Sequence, residues 1–587
     1  MSHQNNKGNM AGIIPKAIRY TVYLLVLISF LSACAEQAPL NVSTNPQIKP
    51  TPTASELLKE TEYPTPTKTS NPLTLFLANP LPENLLPQEL AEDVLIYDED
   101  LASLWFDSAL AEPNGSILHT MDWVYALAAP FPTLTDDVTL AELRSFWRGI
   151  PLAGLSSVSK LYVPETIINI LDERWQPHAP EIVKVVSSLP SNGKLWSENA
   201  WVIIPFEALT PKLKVIRVAG SSPLEKDFDP NAFPLTFKFV LTLAQADASE
   251  NPDLQSLIEA LPLTNRDPGK MTTLVMTGVT ALVRATAYKM EVNGVNYPGE
   301  EIREWLSDAD LTHISNEVSF YEACPFPDPN NRMLLFCSDP KYIELFDYIG
   351  ADIIELTGNH NNDSLYTYGV DVVPFTLNLY HQHGMVYYGG GLNLADAQSP
   401  LILTHNGNKI AFIGCNAPGP DFAWATENQG GAAPCGDYQW LVDEIQQLKL
   451  DGILPIVTLQ YYEDYYNFPE SHHIRDFGQL AEAGAIIVNG SQAHRPKGMA
   501  FSGDAFIDYG LGNLFFDQMG IIDDYEEQIL QTRWEIIQRH TFYDGQHLST
   551  ELLTAMLEDY AQPRPMTDKE RKIFLEELFT ASDWIIK

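Results

Sequence analysis

Short apolar runs alternate with segments of helical spacing throughout residues 271–545, and this alternation constrains the fold more than any other feature of the chain. Apolar runs of this length predict buried strands, and apolar residues three and four positions apart predict amphipathic helices. The predicted strands are 272–276, 353–356, 410–415, 454–459, 485–488 and 505–509. The predicted helices are 368–382, 438–448 and 472–483. Strands and helices in this order predict a layered α/β domain.

Two of the predicted strands lead into polar loops that each contain a histidine. Loop 357–363 carries Asn359 and His360, and loop 490–496 carries His494. In open α/β sheets, sites form at the carboxyl ends of the strands. The two loops therefore predict a hydrolase-like or metal-binding site, or the remains of one. The alternative is structural, because polar loop residues are often solvated and asparagine tolerates left-handed backbone angles at turns.

The start of the chain predicts export. Lys7, Lys16 and Arg19 precede the apolar stretch 20–31, and small residues follow it as far as Cys34. A basic region, a short apolar region and small residues form a secretory signal, and the apolar part is too short for a comfortable membrane span.

The run Leu-Ser-Ala-Cys that ends at Cys34 resembles the bacterial lipobox. This resemblance implies a lipoprotein signal peptide over residues 1–34, cleavage before Cys34 and lipidation of its sulfur. The protein is therefore expected to be extracytoplasmic and anchored to the membrane at the cell surface. The alternative, an uncleaved anchor helix, gives the same compartment.

Composition divides the residues that follow. Residues 35–73 are rich in Pro, Thr, Ser and Asn, and they predict a semi-extended tether because they cannot bury enough apolar surface to offset their ordering entropy. Residues 75–262 predict a smaller N-terminal α/β domain, in which the stretches 201–209 and 214–218 resemble a lobe of extracytoplasmic solute-binding proteins. The elements predicted in this domain include helices at 140–148 and 164–172 and a strand at 200–205.

A boundary near 262–270 separates this domain from the one predicted at 271–545. Residues 546–587 predict a C-terminal helical extension, because 551–560 and 567–584 both have amphipathic spacing.

The chain is strongly acidic. Its formal net charge is −40 at pH 7, from 76 Asp and Glu residues against 36 Lys and Arg residues. Phosphate groups would be repelled by such a protein, so the charge argues against nucleic acid as a partner.

Four cysteines follow Cys34. An even number in an oxidising compartment predicts disulfides, and the local pairs Cys324–Cys337 and Cys415–Cys435 are the first choice among three connectivities. Zinc ligation is the alternative, and it is disfavoured because no Cys-x-x-Cys spacing is present.

Six motifs within residues 271–520 occur in the order of one known family. They are Thr277-Gly278-Val279 with Arg284; Asn316-Glu317; Gly358-Asn359-His360 with Asp363, Tyr368 and Gly369; the glycine-rich segment 388–400; Gly490 to His494; and the closing segment 509–518. The ordered set resembles the CapA-like family of poly-γ-glutamate capsule synthesis, whose fold is similar to calcineurin-type metallophosphatases. The resemblance implies an α/β/β/α sandwich, in which two sheets are flanked by helices.

Three positions depart from the family pattern. Val279 stands where the family carries Asp, and Gln460 and Gln492 stand where it carries His. Two divalent cations need bridging groups to hold them ~3.5–4 Å apart. With these ligands replaced by uncharged side chains, a standard dinuclear centre is not expected.

The resemblance implies roles for the residues that remain. Catalysis would fall to His360, which would protonate a leaving oxygen, and to Glu317 or Glu463, which would activate water. Asn359 and His494 would hold one divalent metal at most, either Mn, Fe or Zn. The residues expected to bind substrate are Arg284, Asn316, Arg495 and Asn513.

Two functions fit this pattern. The first is a cell-surface enzyme that hydrolyses or transfers a phosphoester, amide or glycosidic bond of a cell-envelope or capsular polymer, with one metal or none. The second is a non-catalytic binding or assembly protein for such a polymer. The lost Asp and His positions favour the binder, and the intact Asn359-His360 loop favours the enzyme.

Overall fold

The computed structural model describes residues 73–86, 95–96, 98–108, 115–151, 158–333, 335–523 and 525–585. Every described residue belongs to one compact unit, residues 69–587. The predicted signal segment, Cys34 and, apart from Leu73, the predicted tether lie outside the described residues. Within the described residues, every helix is too short or too polar to cross a bilayer.

The first region of the described chain forms a single mixed sheet with helices against it. Its strands are β1 (Leu75–Leu77), β2 (Leu95–Ile96), β3 (Leu104–Ser108), β4 (Ser116–Pro130), β5 (Asp137–Val138), β6 (Leu161–Pro164), β7 (Val183–Val186), β8 (Trp201–Pro205), β9 (Leu213–Val218) and β10 (Thr236–Leu243). Its helices, as far as the chain is described, are α1 (Leu140–Trp147), α2 (Glu165–Trp175), α3 (Asn192–Glu198) and α4 (Asp253–Ala260). The strands hydrogen-bond in the order β2-β1-β3-β10-β4-β8-β6-β7, and β9 joins β4 to β5.

The long strand β4 organises this sheet, because it pairs with β10, β8 and β9. Its second half is almost wholly buried, and its aromatic residues Trp123 and Tyr125 lie in the same core as Trp147 and Trp201. Helix α1 begins at a capping box formed by Thr139 and Glu142. The smaller α/β domain expected here is confirmed, as are its predicted helices and strand.

The second region contains the strands and helices that build the site. Its strands are β11 (Met271–Thr280), β12 (Leu311–Asn316), β13 (Ile353–Glu355), β14 (Val386–Tyr388), β15 (Gly390–Gly391), β16 (Leu401–His405), β17 (Asn408–Asn416), β18 (Gly431–Ala432), β19 (Leu454–Gln460), β20 (Ile487–Ser491), β21 (Met499–Ser502), β22 (Ala505–Asp508), β23 (Ile521–Ile522), β24 (Gln528–Ile529), β25 (Trp534–Tyr543), β26 (Gln546–Glu558) and β27 (Gln562–Pro565). Its helices are α5 (Arg284–Asn293), α6 (Arg303–Ser307), α7 (Ile343–Ile349), α8 (Leu365–Tyr368), α9 (Val372–Gln382), α10 (Leu394–Ala397), α11 (Gln439–Leu450), α12 (Ser471–Ala483) and α13 (Asp568–Ala581).

Two mixed sheets form the centre of this region. One has the order β14-β13-β12-β11-β25-β26-β27, and the other has the order β16-β17-β19-β20-β22-β21. Strands β11 to β14 are parallel to one another, as are β17, β19, β20 and β22. The carboxyl ends of the parallel strands in each sheet therefore meet at one edge.

The sheets pack face to face because alternate residues of each strand point to opposite faces. Leu274 and Met276 of β11 lie in the core between the sheets, together with Ile456 of β19. Their neighbours Val275 and Val457 point outward, where they contact the helix layers on either side. The predicted α/β/β/α sandwich is confirmed, and the apolar runs of its strands follow from burial on both faces.

The tail differs in part from its prediction. Residues 551–560 are not helical, because most of them belong to strand β26, which pairs with β25 from Gln546 to Met556. Both faces of this sheet are covered, so the strand is rich in apolar residues, and its leucines imitate helical spacing. The second predicted helix is present as α13, which starts at a capping box between Thr567 and Glu570.

Two disulfides link the local cysteine pairs that the sequence favoured. Cys324 joins Cys337, and Cys415 joins Cys435, with Cα–Cα distances of 5.5 and 5.0 Å. Cys415 lies on β17 and is buried with Cys435 in the core beneath α11 and α12. This bridge ties the loop that follows β18 to strand β17.

Candidate functional site

A pocket of about 570 Å³ lies beside the carboxyl ends of the parallel strands. Its walls include Asn359 and His360 after β13, Glu463 after β19, and Gln492 and His494 after β20. The two sheets thus bring together loops that are more than a hundred residues apart in sequence, as strand-end sites in α/β proteins do. Both histidines of the predicted loops line this one pocket.

His360 is held in place by a carboxylate. Its Nδ1 donates to Oδ2 of Asp363 at 2.6 Å, and the same oxygen accepts the backbone N–H of Phe336 at 2.9 Å. Burial alone would lower the pKa of His360, but the hydrogen bond to Asp363 and the nearby carboxylates Glu317 and Glu463 outweigh it and raise the pKa. The imidazolium form of His360 is therefore stabilised relative to that of an ordinary histidine.

His494 is held by an amide instead. Its Nδ1 lies 2.8 Å from Oδ1 of Asn513, while Nδ2 of Asn513 donates to the backbone oxygens of His494 and Thr532. Because Oδ1 can only accept, Nδ1 of His494 carries the proton, and in the neutral ring Nε2 is left as a proton acceptor. None of the described residues hydrogen-bonds to Nε2 of either His360 or His494.

An aromatic wall connects the two imidazoles. The ring of His360 lies 4.3 Å from that of Phe336, and the ring of His494 lies 5.1 Å from that of Phe516. The guanidinium of Arg284 sits over both phenyl rings, at 4.9 and 5.1 Å, and pairs with Asp517. Cation–π contacts of this kind hold a guanidinium in a fixed orientation beside the pocket.

Glu317 lies beneath this wall. It is 2% exposed, and its carboxylate has no hydrogen-bond partner among the described residues. Burial raises the pKa of Glu317 against the opposing attraction of His360 and His494. Gly358 packs so tightly against it that a Cβ there would lie 2.4 Å from Cα of Glu317, so the loop that carries His360 requires glycine at this point.

Glu463 lines the pocket directly and accepts the phenolic hydrogen of Tyr465. The ring of Tyr465 in turn stacks at 6.4 Å on that of His494. Glu463 therefore adds a negative charge to the wall next to His494.

A network of neutral amides crosses from one sheet to the other at the base of the pocket. Gln460 Nε2 donates to Oδ1 of Asn359 at 3.0 Å and to Oε1 of Gln492. The backbone of Gln492 is left-handed, with φ of 75°, a conformation that costs energy in a residue with a side chain. Ser491 closes the network by donating to Oε1 of Gln460 at 2.8 Å.

These residues do not fit the metal that the fold resemblance implies. The oxygens of Asn359 and Gln492 already accept hydrogen bonds from Gln460, and Val279, at the family's Asp position, is fully buried and apolar. Among the residues that the structure describes, no group of three or more His, Cys, Asp and Glu side chains is placed to hold a metal ion. Asn359 and His494 lie at one pocket but do not form a ligand set.

Three residues expected to bind substrate lie elsewhere. Asn316 is buried and donates to the backbone oxygen of Val318 and to Tyr380. Asn513 hydrogen-bonds through its side-chain oxygen to Nδ1 of His494. Arg495 binds Glu577 of α13 and the backbone oxygen of Tyr465, so it anchors the loop that carries Tyr465. These side chains satisfy internal polar groups, which buried polar residues generally must do.

Sequence reasoning did not find the aromatic wall. Phe516 and Asp517 belong to the closing motif, so their position in the family order was a usable signal. Phe336 enters the site from a loop beside the disulfide of Cys337, and no sequence pattern marks it.

The chain superposes only weakly on solved structures, with low TM-scores. The chain is similar over 53% of its length to a 5'-nucleotidase precursor from Thermus thermophilus, 58% of which is covered, with 12% identity and a TM-score of 0.27. It is similar over 30% of its length to an ABC-type phosphate transport receptor from Vibrio cholerae, 85% of which is covered, with 12% identity and a TM-score of 0.23. We draw nothing further from these two likenesses.

Two curated proteins are similar to this chain in sequence, and both are capsule or PGA biosynthesis proteins. The chain is 23% identical over 265 residues to the capsule biosynthesis protein CapA of Bacillus anthracis, covering 44% of this chain and 62% of that one. It is 28% identical over 183 residues to the PGA biosynthesis protein CapA of Bacillus subtilis (strain 168), covering 31% of this chain and 47% of that one. The chain thus spans less than two thirds of the length of either relative.

The matched residues contain most of the sandwich strands and most of the residues that line the pocket. The family described as bacterial capsule synthesis protein PGA_cap matches residues 273–518, from strand β11 to the end of the closing segment 509–518. The pocket walls contributed by Arg284, His360, His494 and Asp517 all lie inside this range. Over residues 273–518, this chain is therefore similar to the bacterial capsule synthesis proteins described by the PGA_cap family.

Proposed function

We propose that this protein acts on a capsular or cell-envelope polymer, and that its pocket hydrolyses or transfers one bond of that polymer by acid–base chemistry without a metal ion. One observation carries the proposal: two imidazoles line the same pocket with opposite proton roles. His360 donates through Nδ1 to a carboxylate, which stabilises its protonated form, whereas His494 donates through Nδ1 to an amide and keeps Nε2 as an acceptor. The family match supports the choice of polymer.

The two roles describe a balanced reaction. Nε2 of His494 takes a proton from the attacking water or from a hydroxyl or amino group of an acceptor chain. The nucleophile then forms its bond to the reacting centre, and Nε2–H of His360 gives its proton to the departing group as the old bond breaks. Arg284 and the buried Glu317 fix the electrostatic setting of the two rings, and general acid–base catalysis of this kind contributes typically 10²–10⁴-fold.

The test is a panel of substrates that separates the three bond types. Purified protein is incubated with γ-linked glutamyl peptides, phosphoesters and envelope oligosaccharides, and products are followed by mass spectrometry with and without an acceptor amine. Turnover of one class supports the proposal. A protein that turns over none of them is not this enzyme.

The pH dependence of turnover gives a sharper prediction. The acid form of His360 is the active one, and its pKa is raised, so turnover is expected to persist to higher pH than an ordinary histidine would allow and to fall as the pH rises beyond that raised pKa. In Asp363→Asn the side-chain oxygen can still accept the hydrogen bond, but the negative charge that favours the imidazolium is lost, so the alkaline limb is expected to move to lower pH. Rates measured across the pH range in both proteins check this, and an alkaline limb that stays in place in the variant contradicts the role of His360.

The metal content of the protein is a second prediction. Wild-type protein from cells grown with added Mn, Fe and Zn is expected to carry far less than one metal atom per chain, and a chelator is expected to leave turnover unchanged. The matched variant Val279→Asp, Gln460→His, Gln492→His restores the family's ligand types and is expected to gain metal. Elemental analysis of both proteins decides this, and a stoichiometric metal in the wild type would overturn the metal-free chemistry.

A binding protein is the second candidate, and the amide network favours it. Gln460, Asn359 and Gln492 satisfy one another where ligands or reactive groups would otherwise stand. Such a pocket would hold a polymer unit through amide hydrogen bonds and the aromatic wall. Calorimetric binding of polymer fragments, with no turnover of any bond in the panel, would select this function.

We also propose that the protein is a lipid-anchored protein outside the cytoplasm, supported by the basic and apolar start of the chain, the residues before Cys34 and the two disulfides. Expressed in a bacterial host, the full chain is expected to incorporate labelled fatty acid and to sediment with membranes. Cys34→Ser should abolish the label, while Cys324→Ser should retain it. Equal labelling of Cys34→Ser and wild type would rule out the anchor.

A further inference from the structure

A second cavity, of about 420 Å³, lies between the first sheet and the sandwich. We call it the interface cavity. Its charged lining residues come from β9, the loop after β9, β25, β26 and α13, together with Asp136 before β5 and Asp308 after α6. It shares no lining residue with the pocket of His360 and His494. Packed protein interiors leave few voids larger than a water molecule, whereas this volume falls in the usual range of ligand sites.

One end of the interface cavity is built around Asp136. Lys214 Nζ lies 2.6 Å from Oδ1 of Asp136, and the guanidinium of Arg571 donates to both carboxylate oxygens of Asp136 at 2.9 Å. Lys214 also donates to the backbone oxygen of Thr133 at 2.7 Å, which leaves one of its three ammonium hydrogens unused.

The other end is built around Glu551. Arg539 Nη1 lies 3.1 Å from Oε2 of Glu551, and Arg217 Nη2 approaches Oε1 at 3.7 Å. Arg217 is also paired with Glu225. At 3.7 Å the contact of Nη2 with Glu551 is too long for a hydrogen bond, so this nitrogen retains donor capacity.

The charges of these groups do not balance. Lys214, Arg217, Arg539 and Arg571 are four cations, and Asp136, Glu225 and Glu551 are three carboxylates, so one positive charge is left over. Three further charged residues, the exposed Lys226, Asp227 and Asp308, bring the whole lining to five cations and five carboxylates. The lining as a whole is therefore neutral, which makes it far less acidic than a chain whose net charge is −40.

Apolar side chains complete the walls, among them Trp305, Leu552, Leu575 and Phe579. A ligand in this cavity would therefore meet cations at two points and hydrocarbon between them. We propose that the interface cavity binds a small organic monocarboxylate, with its carboxylate on the free donors of Lys214 and the arginines and its apolar part against Leu552 and Phe579. Guanidinium groups favour carboxylates because their paired N–H groups match the two oxygens.

The experiment compares two probes of the same shape. Isothermal titration calorimetry at pH 7 is run with 3-phenylpropionate and with its uncharged amide. The carboxylate is expected to bind in about the millimolar range or tighter, and the amide about tenfold more weakly or worse, since hydrogen bonds to charged groups are the stronger ones. Equal binding of the two probes, or no binding of either, overturns the proposal.

Variants locate the site. Lys214→Met keeps the aliphatic stem and is expected to weaken 3-phenylpropionate binding about tenfold. The control is Lys238→Met, because Lys238 forms a surface pair with Asp122 at 2.6 Å and lies outside the interface cavity. A loss of binding in His360→Asn but not in Lys214→Met would assign the probe to the other pocket and overturn the proposal.

The wild type alone provides a further measurement in case Lys214→Met does not fold. Burial lowers the pKa of Lys214 to about 8, with Asp136 and Glu551 opposing that shift and Arg571 adding to it. The three arginines keep their charge, so affinity for the carboxylate is expected to fall as the pH rises through about 8. Affinity that stays constant from pH 6 to pH 10 would show that Lys214 does not hold the anion.

Discussion

Replacing His360 by asparagine is expected to lower turnover of the polymer bond by about 10²- to 10⁴-fold, the contribution of one general acid. Asparagine keeps a hydrogen-bond donor for Asp363 but has no proton to give to a departing group. Because His360 does not hold the substrate in this scheme, most of the loss is expected in kcat and little in KM. Steady-state rates at several substrate concentrations measure the split.

A matched control exists on the surface of the same domain. His383, directly after α9, also donates from Nδ1 to a carboxylate, Asp347 at 2.7 Å, but lies outside the pocket. His383→Asn removes the same kind of pair and is expected to leave both kinetic constants unchanged. If His360→Asn retained wild-type kcat while its melting temperature also stayed at the wild-type value, the acid role of His360 would be refuted.

Much of the sandwich could be predicted because its strands are apolar on both faces and its helices are amphipathic. Strands 454–459 and 505–509 were placed to within a residue or two for that reason. The same reasoning failed at 551–560, where a strand covered on both faces has leucines at helical spacing. Periodicity alone cannot separate these cases, since the partner strand β25 decides the outcome.

Residues of the candidate site could be predicted from the sequence only where the side chain itself, such as an imidazole, is one that commonly carries chemistry. His360 and His494 were found because histidines at strand ends are informative. Asn513, Asn316 and Arg495 were expected to bind substrate, and in the structure each side chain hydrogen-bonds to another side chain of the protein. Which way such a side chain points depends on tertiary packing, and local sequence does not encode it.

The second large effect is expected from Gly278→Ala, and it concerns the framework that places His494. A Cβ at Gly278 would lie 2.2 Å from the backbone oxygen of Gly512. That same oxygen accepts the N–H of Val279 at 3.0 Å, and Leu514 donates back to Val279 at 2.8 Å. The segment cannot move away without breaking these bonds, so the substitution is expected to cost about 3 kcal/mol or more and to lower the melting temperature by several degrees.

The effect on the site follows from the next residue in the chain. Asn513, beside Gly512, holds Nδ1 of His494 at 2.8 Å, so a displaced 512–514 segment releases the imidazole as well as the strand. Gly193→Ala is the matched control, because a Cβ there meets nothing within 4 Å and alanine is the better helix former in α3. Thermal unfolding of the three proteins should rank Gly278→Ala far below the other two. A melting temperature for Gly278→Ala equal to that of Gly193→Ala would mean that β11 and the closing motif are not in the close contact described above.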